Sequence, residues 1–99
     1  MARAPTQEQL EVAAAMFAAL ADPARLAILV HLVPGEMSVS ALTEALGEKM
    51  TTVSARLKVL HGARLVGRTR RGKQVFYHLA DGHVIALVES AVDHACEDH

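Results

Sequence analysis

The residues of this chain best suited to chemistry gather at its end. The closing stretch, DGHVIALVESAVDHACEDH, holds three of the six histidines and five of the eleven acidic residues, with no Lys or Arg. Imidazole nitrogen together with carboxylate oxygen suits a borderline divalent ion such as zinc, cobalt or nickel. Asp81 reads as a helix N-cap. Val84, Leu87, Val88, Ala91, Val92 and Ala95 form the apolar stripe of the helix it opens. The eleven residues from His83 to His94 turn about 20° past three full turns, so the two rings share a face. Along the axis they are roughly 16 Å apart. Zinc holds imidazole at about 2 Å, so one straight helix cannot offer both rings to one ion.

Two copies of the helix remove that difficulty. Packed antiparallel against its twin, His83 of one chain meets His94 of the other and Asp81 meets Glu97. Both pairings share nearly one two-fold centre, beside Val88 and Glu89. The apolar stripe would give the two helices a dry seam, with the histidines flanking it. The expectation is two equivalent sites per homodimer, each taking Asp81 and His83 from one chain and His94 and Glu97 from the other. His94 and Glu97 are three apart and so adjacent on the helix. His99, two past Glu97, is available as a further ligand. The plain alternative is that Asp81 only caps the helix and the histidines are solvated. Cys96 lies roughly 200° round the helix from His94, off that face. His31, His61 and His78 read as surface or packing residues.

The elements that must position this tail belong to one small domain, since 99 residues leave room for a single modest core. Residues 12–21 form the longest apolar run, too short to cross a bilayer. The first residues lack a basic start followed by an apolar block. Cys96 is the only cysteine, so no internal disulfide can form. A cytoplasmic chain without membrane contact is expected. No nucleophile–base constellation or phosphate-binding loop appears, which argues against an enzyme.

Along the chain, Thr6 with Gln9 makes a capping box, and Leu10, Ala13, Ala14 and Phe17 follow at helical spacing. Asp22-Pro23 starts a second helix, with Leu26, Leu29, Val30 and Val33 on one face and Pro34-Gly35 as its stop. Ser38 caps a short third helix carrying Leu42 and Leu46, ended by Gly47. A fourth opens at Thr51 or the residue before it, turns Val53, Leu57 and Leu60 inward, and closes at Gly62. Residues 65–71 and 73–79 then flank Gly72, and Val75, Tyr77 and Leu79 alternate as in a strand. This predicts a two-stranded hairpin with Arg70-Arg71-Gly72-Lys73 at its tip.

The net charge of −1 conceals a segregation. Eight of the ten basic residues lie between Lys49 and Ala80, where no acidic residue falls. Such a window fits a polyanion partner; the plain alternative is a solvated charged face. The third and fourth helices form a helix-turn-helix, whose second helix enters the major groove of duplex DNA by its early residues. Thr51, Thr52, Ser54, Ala55 and Arg56 occupy that end. Arg56 has the reach to bind a guanine through two hydrogen bonds, and Lys49 and Lys58 fall where phosphates pass. Arg70, Arg71 and Lys73 at the hairpin tip would reach backbone or minor groove. The fold class expected is mainly α with a β-hairpin wing, a winged helix-turn-helix. It divides into a helix-turn-helix over 38–62, a wing over 64–79 and a dimer and metal helix over 82–97.

Over nearly its whole length the chain resembles the ArsR/SmtB family of metal-sensing repressors. The resemblance runs through FAALADPARL from Phe17, VSARLKVL from Val53 and GKQVFYHL from Gly72. The tail, Asp81-x-His83-x10-His94-x2-Glu97, is similar to the C-terminal-helix site of the family's zinc sensors. The resemblance implies a homodimer held by its N- and C-terminal helices. Metal-free, it would bind double-stranded operator DNA; Zn(II), or Co(II) or Ni(II), bound between subunits would release it. Where many relatives carry Glu-Leu-Cys-Val-Cys-Asp-Leu, this chain has EMSVSAL from Glu36, so a thiolate site is not expected there. The usual Ser-His pair of the recognition helix is Ser54-Ala55 here. The ending His94-x2-Glu97-x-His99 falls between the zinc sensors and the nickel and cobalt sensors, whose tails extend with further histidines. A repressor of the same fold that senses a non-metal signal, such as oxidation of Cys96, stays open as the alternative.

Overall fold

A computed structural model describes residues 3–97. In chain order its elements are α1 (Gln7–Leu20), α2 (Pro23–Leu32), β1 (Met37–Ser38), α3 (Val39–Leu46), α4 (Met50–Gly62), β2 (Val66–Arg71), β3 (Gln74–Leu79) and α5 (Gly82–Cys96). The start signals act as their chemistry dictates. Thr6 Oγ1 accepts from the Gln9 amide at 3.1 Å, and Gln9 Oε1 accepts from the Thr6 amide at 3.0 Å, which satisfies two N-terminal donors of α1. Asp22 Oδ2 accepts from the Arg25 amide at 2.9 Å with Pro23 at the first helical position. Arg25 then reaches back: its Nε donates to the Ala19 carbonyl at 2.8 Å and its Nη2 to the Ala18 carbonyl at 3.2 Å. Those carbonyls lie in the last turn of α1, where helix acceptors run short of intrahelical donors; Ala18 also accepts from the Ala21 amide at 3.2 Å. One arginine therefore fixes the corner at which α1 and α2 meet at 95°. Among the described residues no single helix is long and apolar enough to cross a membrane.

The core forms around α2 and α4. Ile28, Leu29 and Leu32 from α2 and Val53, Leu57 and Leu60 from α4 are buried, together with Leu42, Leu65, Val66, Tyr77, Leu79, Val84 and Val88. A single stripe over Leu26, Leu29, Val30 and Val33 was the expectation for α2. Instead Ile28 and Leu32 are buried and Val30 is exposed, because α2 touches α1, α3, α4, α5 and β3 and is covered on more than one side. On α1 only Ala19 is buried. Leu10 and Phe17, two of the apolar residues at helical spacing, stand 50% and 61% exposed.

The sheet differs from the expected hairpin by one strand. β1 pairs antiparallel with β3 (Met37↔Tyr77, Ser38↔Phe76), giving the order β1-β3-β2. Two residues are too few to show a period, so the sequence carried no signal for β1. In the wing, β2 and β3 run in register from Val66↔Leu79 to Arg71↔Gln74. Gly72 and Lys73 close the hairpin, and of the two only Gly72 has positive φ, at +61°. This is the II′ arrangement, which matches strand twist and favours Gly at its first central position.

Arg25→Ala is expected to destabilise the protein by about 1–3 kcal/mol, the scale of a charge-assisted hydrogen bond. Arg25→Lys should recover only part, because a lysine lacks the fork. Urea unfolding at fixed protein concentration checks this; equal stability of all three proteins would mean the corner is held by packing alone.

Candidate functional site

Burial of Val53, Leu57 and Leu60 sets the rotation of α4. At ~100° per residue the stripe opposite them is Thr51, Ala55 and, further along, Lys58 and Val59, and all four are exposed. Thr52, Ser54 and Arg56 are half-buried on the flanks, and Lys49 is exposed as the N-cap residue. Arg56 does not stand free: its Nη1 donates to Glu48 Oε1 at 3.2 Å, across the turn between α3 and α4. That turn rests on Gly47, whose φ of +65° closes α3 in the left-handed conformation.

The wing sorts its arginines by strand parity. Arg68 stands opposite Tyr77 and Arg70 opposite Val75. Both arginines line a groove of about 570 Å³ with Ser54 and Lys58 of α4. Its lining carries three cations and no carboxylate. Arg71 falls on the other face of the strand. There it is ion-paired with Glu36 and lies over the Phe76 ring, 4.9 Å from its centroid. Lys73 is exposed at the tip.

The tail residues fall into two pairs at opposite ends of α5. Asp81 Oδ1 accepts from the Val84 amide at 3.1 Å, so Asp81 is the N-cap, and the same oxygen lies 3.6 Å from His83 Nδ1. At the far end His94 Nδ1 lies 3.6 Å from Glu97 Oε2. All four side chains are exposed, His83 fully so. Val84 and Val88 are buried in the chain's own core, so the stripe expected to serve a second copy is partly used internally. Leu87 is half-buried, and Ala91 and Ala95 are exposed. Among the described residues of one chain, no three His, Cys, Asp or Glu come together as a metal site. His99 lies outside the described residues. Cys96 is exposed. His31 and His78 each donate from Nδ1 to a backbone carbonyl at 2.9 Å, of Ala27 and Leu79 respectively, in keeping with packing roles.

A helix-turn-helix domain family matches residues 20–67, from the end of α1 into β2. The transcriptional repressor SmtB of Mycobacterium tuberculosis is 40% identical over 94 residues, covering 95% of this chain and 70% of that protein. The chain belongs to the ArsR/SmtB family of winged-helix transcriptional repressors. A fragment of a possible ArsR-family regulator from Mycobacterium bovis, solved as a homodimeric winged helix-turn-helix DNA-binding domain, superposes with a TM-score of 0.83 at 36% identity. It covers all of this chain and 96% of that one. The regulator NmtR of M. tuberculosis is 42% identical over 77 residues, 78% of this chain and 64% of that protein. Its apo solution structure superposes with a TM-score of 0.77 at 38% identity, covering 98% and 82%. The fold and its relatives are those of DNA-binding transcription regulators and not of enzymes.

Within this ArsR/SmtB fold, Ser38 stands where the resemblance pointed to a thiolate in relatives, and its Oγ accepts from the Ala41 amide at 3.0 Å as the α3 N-cap. Three residues of the site were missed in the sequence. Glu48, next to the basic window, and Glu36, thirteen residues before it, pair with Arg56 and Arg71. Arg68 joins Arg70 and Lys58 in the groove. A two-residue hairpin loop fixes register, so the parity that sets Arg68 and Arg70 apart from Arg71 was open to derivation. The ion pairs, formed across a turn or between distant segments, had no such signal.

Arg68→Ala and Arg70→Ala should each flatten the plot of log affinity for duplex DNA against log salt by about one per chain. Arg71→Ala should leave that slope within error. Fluorescence anisotropy across a salt series measures it, and equal slopes for Arg70→Ala and Arg71→Ala would mean that the Glu36 pair opens on DNA.

Proposed function

We propose that this protein is a metal-responsive repressor that binds operator DNA as a metal-free homodimer and lets go when a divalent ion fills sites shared by two subunits. The observation that carries this reading is the division of four metal-competent side chains into two exposed pairs at opposite ends of α5. Neither pair suffices for an ion that wants four ligands. An antiparallel second copy of α5 would bring Asp81 and His83 of one chain to His94 and Glu97 of the other. Both rings are exposed, because the core fixes the rotation of α5 through Val84 and Val88. The exposed Leu10 and Phe17 on α1 offer a second copy further apolar area. A homodimer held by the N- and C-terminal helices follows, and the homodimeric state of the M. bovis relative supports it.

Two imidazoles and two carboxylates favour Zn(II), with Co(II) or Ni(II) as alternatives, the last two more so if His99 adds a ligand. Such an ion would tie the two α5 helices at a fixed offset. The rest of the response belongs to the protein. α5 packs on α2 and β3, and α2 packs on α4, so a change at the dimer axis alters the spacing of the two α4 helices. Adjacent half-sites demand about 34–36 Å between them. A coupling of about 1–3 kcal/mol is the usual scale of such linkage. On the DNA side, Thr51, Thr52, Ser54, Ala55 and Arg56 would serve bases or nearby phosphates. Lys49, Lys58, Arg70 and Lys73 would serve the backbone, with Arg68 added and Arg71 second to its own ion pair. Such a protein would act in the cytoplasm, alongside the DNA.

Cobalt(II) titrated into the metal-free protein under anaerobic conditions should saturate at one ion per chain. Intense visible bands would mark a tetrahedral site; weak bands would mark a higher coordination number that includes His99. His83→Ala, His94→Ala, Glu97→Ala and Asp81→Asn should each abolish metal-induced release while keeping metal-free DNA binding. Asn is chosen because it still caps α5. Protons compete with metal for imidazole, so release should require more metal as the solution is acidified. If metal still dissociates the DNA complex in all four variants, the reading fails. A complex indifferent to metal but dissociated by peroxide would move the sensing role to the exposed Cys96.

A further inference from the structure

The start of the outward stripe of α4 is rich in methyl groups, and its charged donor, Lys58, comes three residues beyond Ala55 and lines the groove shared with the wing. Thr51, Ala55 and Val59 follow one another at four-residue spacing along the line opposite the buried Val53, Leu57 and Leu60. Val59 is 47% exposed; Met50, 50% exposed at the start of the helix, lies ~100° round from Thr51 and off that line. These two are the large apolar residues that α4 leaves in solvent, and the chain's own core has no use for them. The obvious donor, Arg56, is elsewhere. It follows Ala55 by ~100° round the helix, on the flank, where its guanidinium is bonded to Glu48. An exposed ion pair is weak by itself; the flank position and the adjacent carboxylate together turn Arg56 from the line on which Ala55 lies.

In the major groove the one apolar feature of a base pair is the thymine 5-methyl, and Ala and the Thr methyl are the side chains that pack on it. We propose that this chain reads its operator through thymine methyl groups, with Ala55 and Thr51 as the contacting residues, and not through a guanine held by Arg56. The inference rests on the repressor reading above and specifies the base chemistry of its DNA site. Ala55 has no polar atom with which to read any other base edge. Thr51 keeps a hydroxyl for a phosphate or base while its methyl faces the groove. Arg56, paired with Glu48, contributes charge at the edge of the interface.

The test begins by selecting the preferred duplex from a random pool with the full metal-free chain. Each thymine of the selected half-site is then replaced by deoxyuridine, which removes the 5-methyl and nothing else. At one or more positions affinity should fall about three- to fivefold per half-site, the scale of one buried methyl group. With both half-sites changed it should fall about ten- to twenty-fivefold. Ala55→Gly should bind the thymine and uracil duplexes alike at the position it contacts. Thr51→Ser, which deletes a methyl and disturbs the helix little, should do the same at a neighbouring position. A selected sequence indifferent to uracil at every position would overturn the inference. So would a required guanine whose preference vanishes in Arg56→Ala. Either result leaves the repressor reading standing, whereas a pool that yields no preferred duplex would count against that reading itself.

Discussion

Burial of Val53, Leu57 and Leu60 is the constraint on which the rest of this molecule depends. These three side chains are fully excluded from solvent against a core contributed by α2, α3 and the sheet. A helix so anchored cannot rotate without exposing leucines, at about 1.5–3 kcal/mol for each large side chain brought into water. Its opposite face is thereby decided, although none of its outward residues takes part in the packing. Thr51, Ala55, Lys58 and Val59 face outward because the other side of the helix must not.

The same logic orders the wing. β3 is the middle strand, hydrogen-bonded to β1 on one side and β2 on the other, and Tyr77 and Leu79 are buried on the core side. With β3 fixed, the register of β2 assigns each arginine a face. Arg68 and Arg70 go to the groove beside α4, while Arg71 goes to Glu36 and Phe76. A basic run that looks uniform in sequence is therefore two groups in space, on opposite faces of the strand. The short β1 contributes more than its length suggests, because it ties the loop carrying Glu36 to the wing and leads directly into the Ser38 cap of α3.

α5 extends the argument to the tail. Its buried Val84 and Val88 direct the helix against the core, and His83 and His94 are left in solvent at its two ends. Within one chain the four ligand-type residues make two separated pairs. The proposed site is thus a property of two chains, and its incompleteness in one is what would allow it to report on their relative position. The exposed Leu10 and Phe17 belong to the same picture, since a surface carrying large apolar residues is most stable when a partner covers it.

Much of this was determined by the sequence alone, where the physics is local. Helix starts at Thr6, Asp22, Ser38 and Asp81 follow from side chains that accept backbone N–H groups within three residues. The hairpin follows from Gly72, and the inward face of α4 from apolar spacing. The shared face of His83 and His94 follows from helical pitch. Tertiary structure decided what depends on more than one element at a time. It chose Ile28 and Leu32 over Val30, because a central helix is covered on several sides. It added β1, whose pairing partner lies some forty residues on and whose two residues show no period. It withdrew Arg56 and Arg71 from the list of free cations, since an ion pair depends on where two chain segments meet and not on the charge of either. It also left Leu10 and Phe17 in water, because periodicity tells which residues share a face, while only packing tells what that face meets.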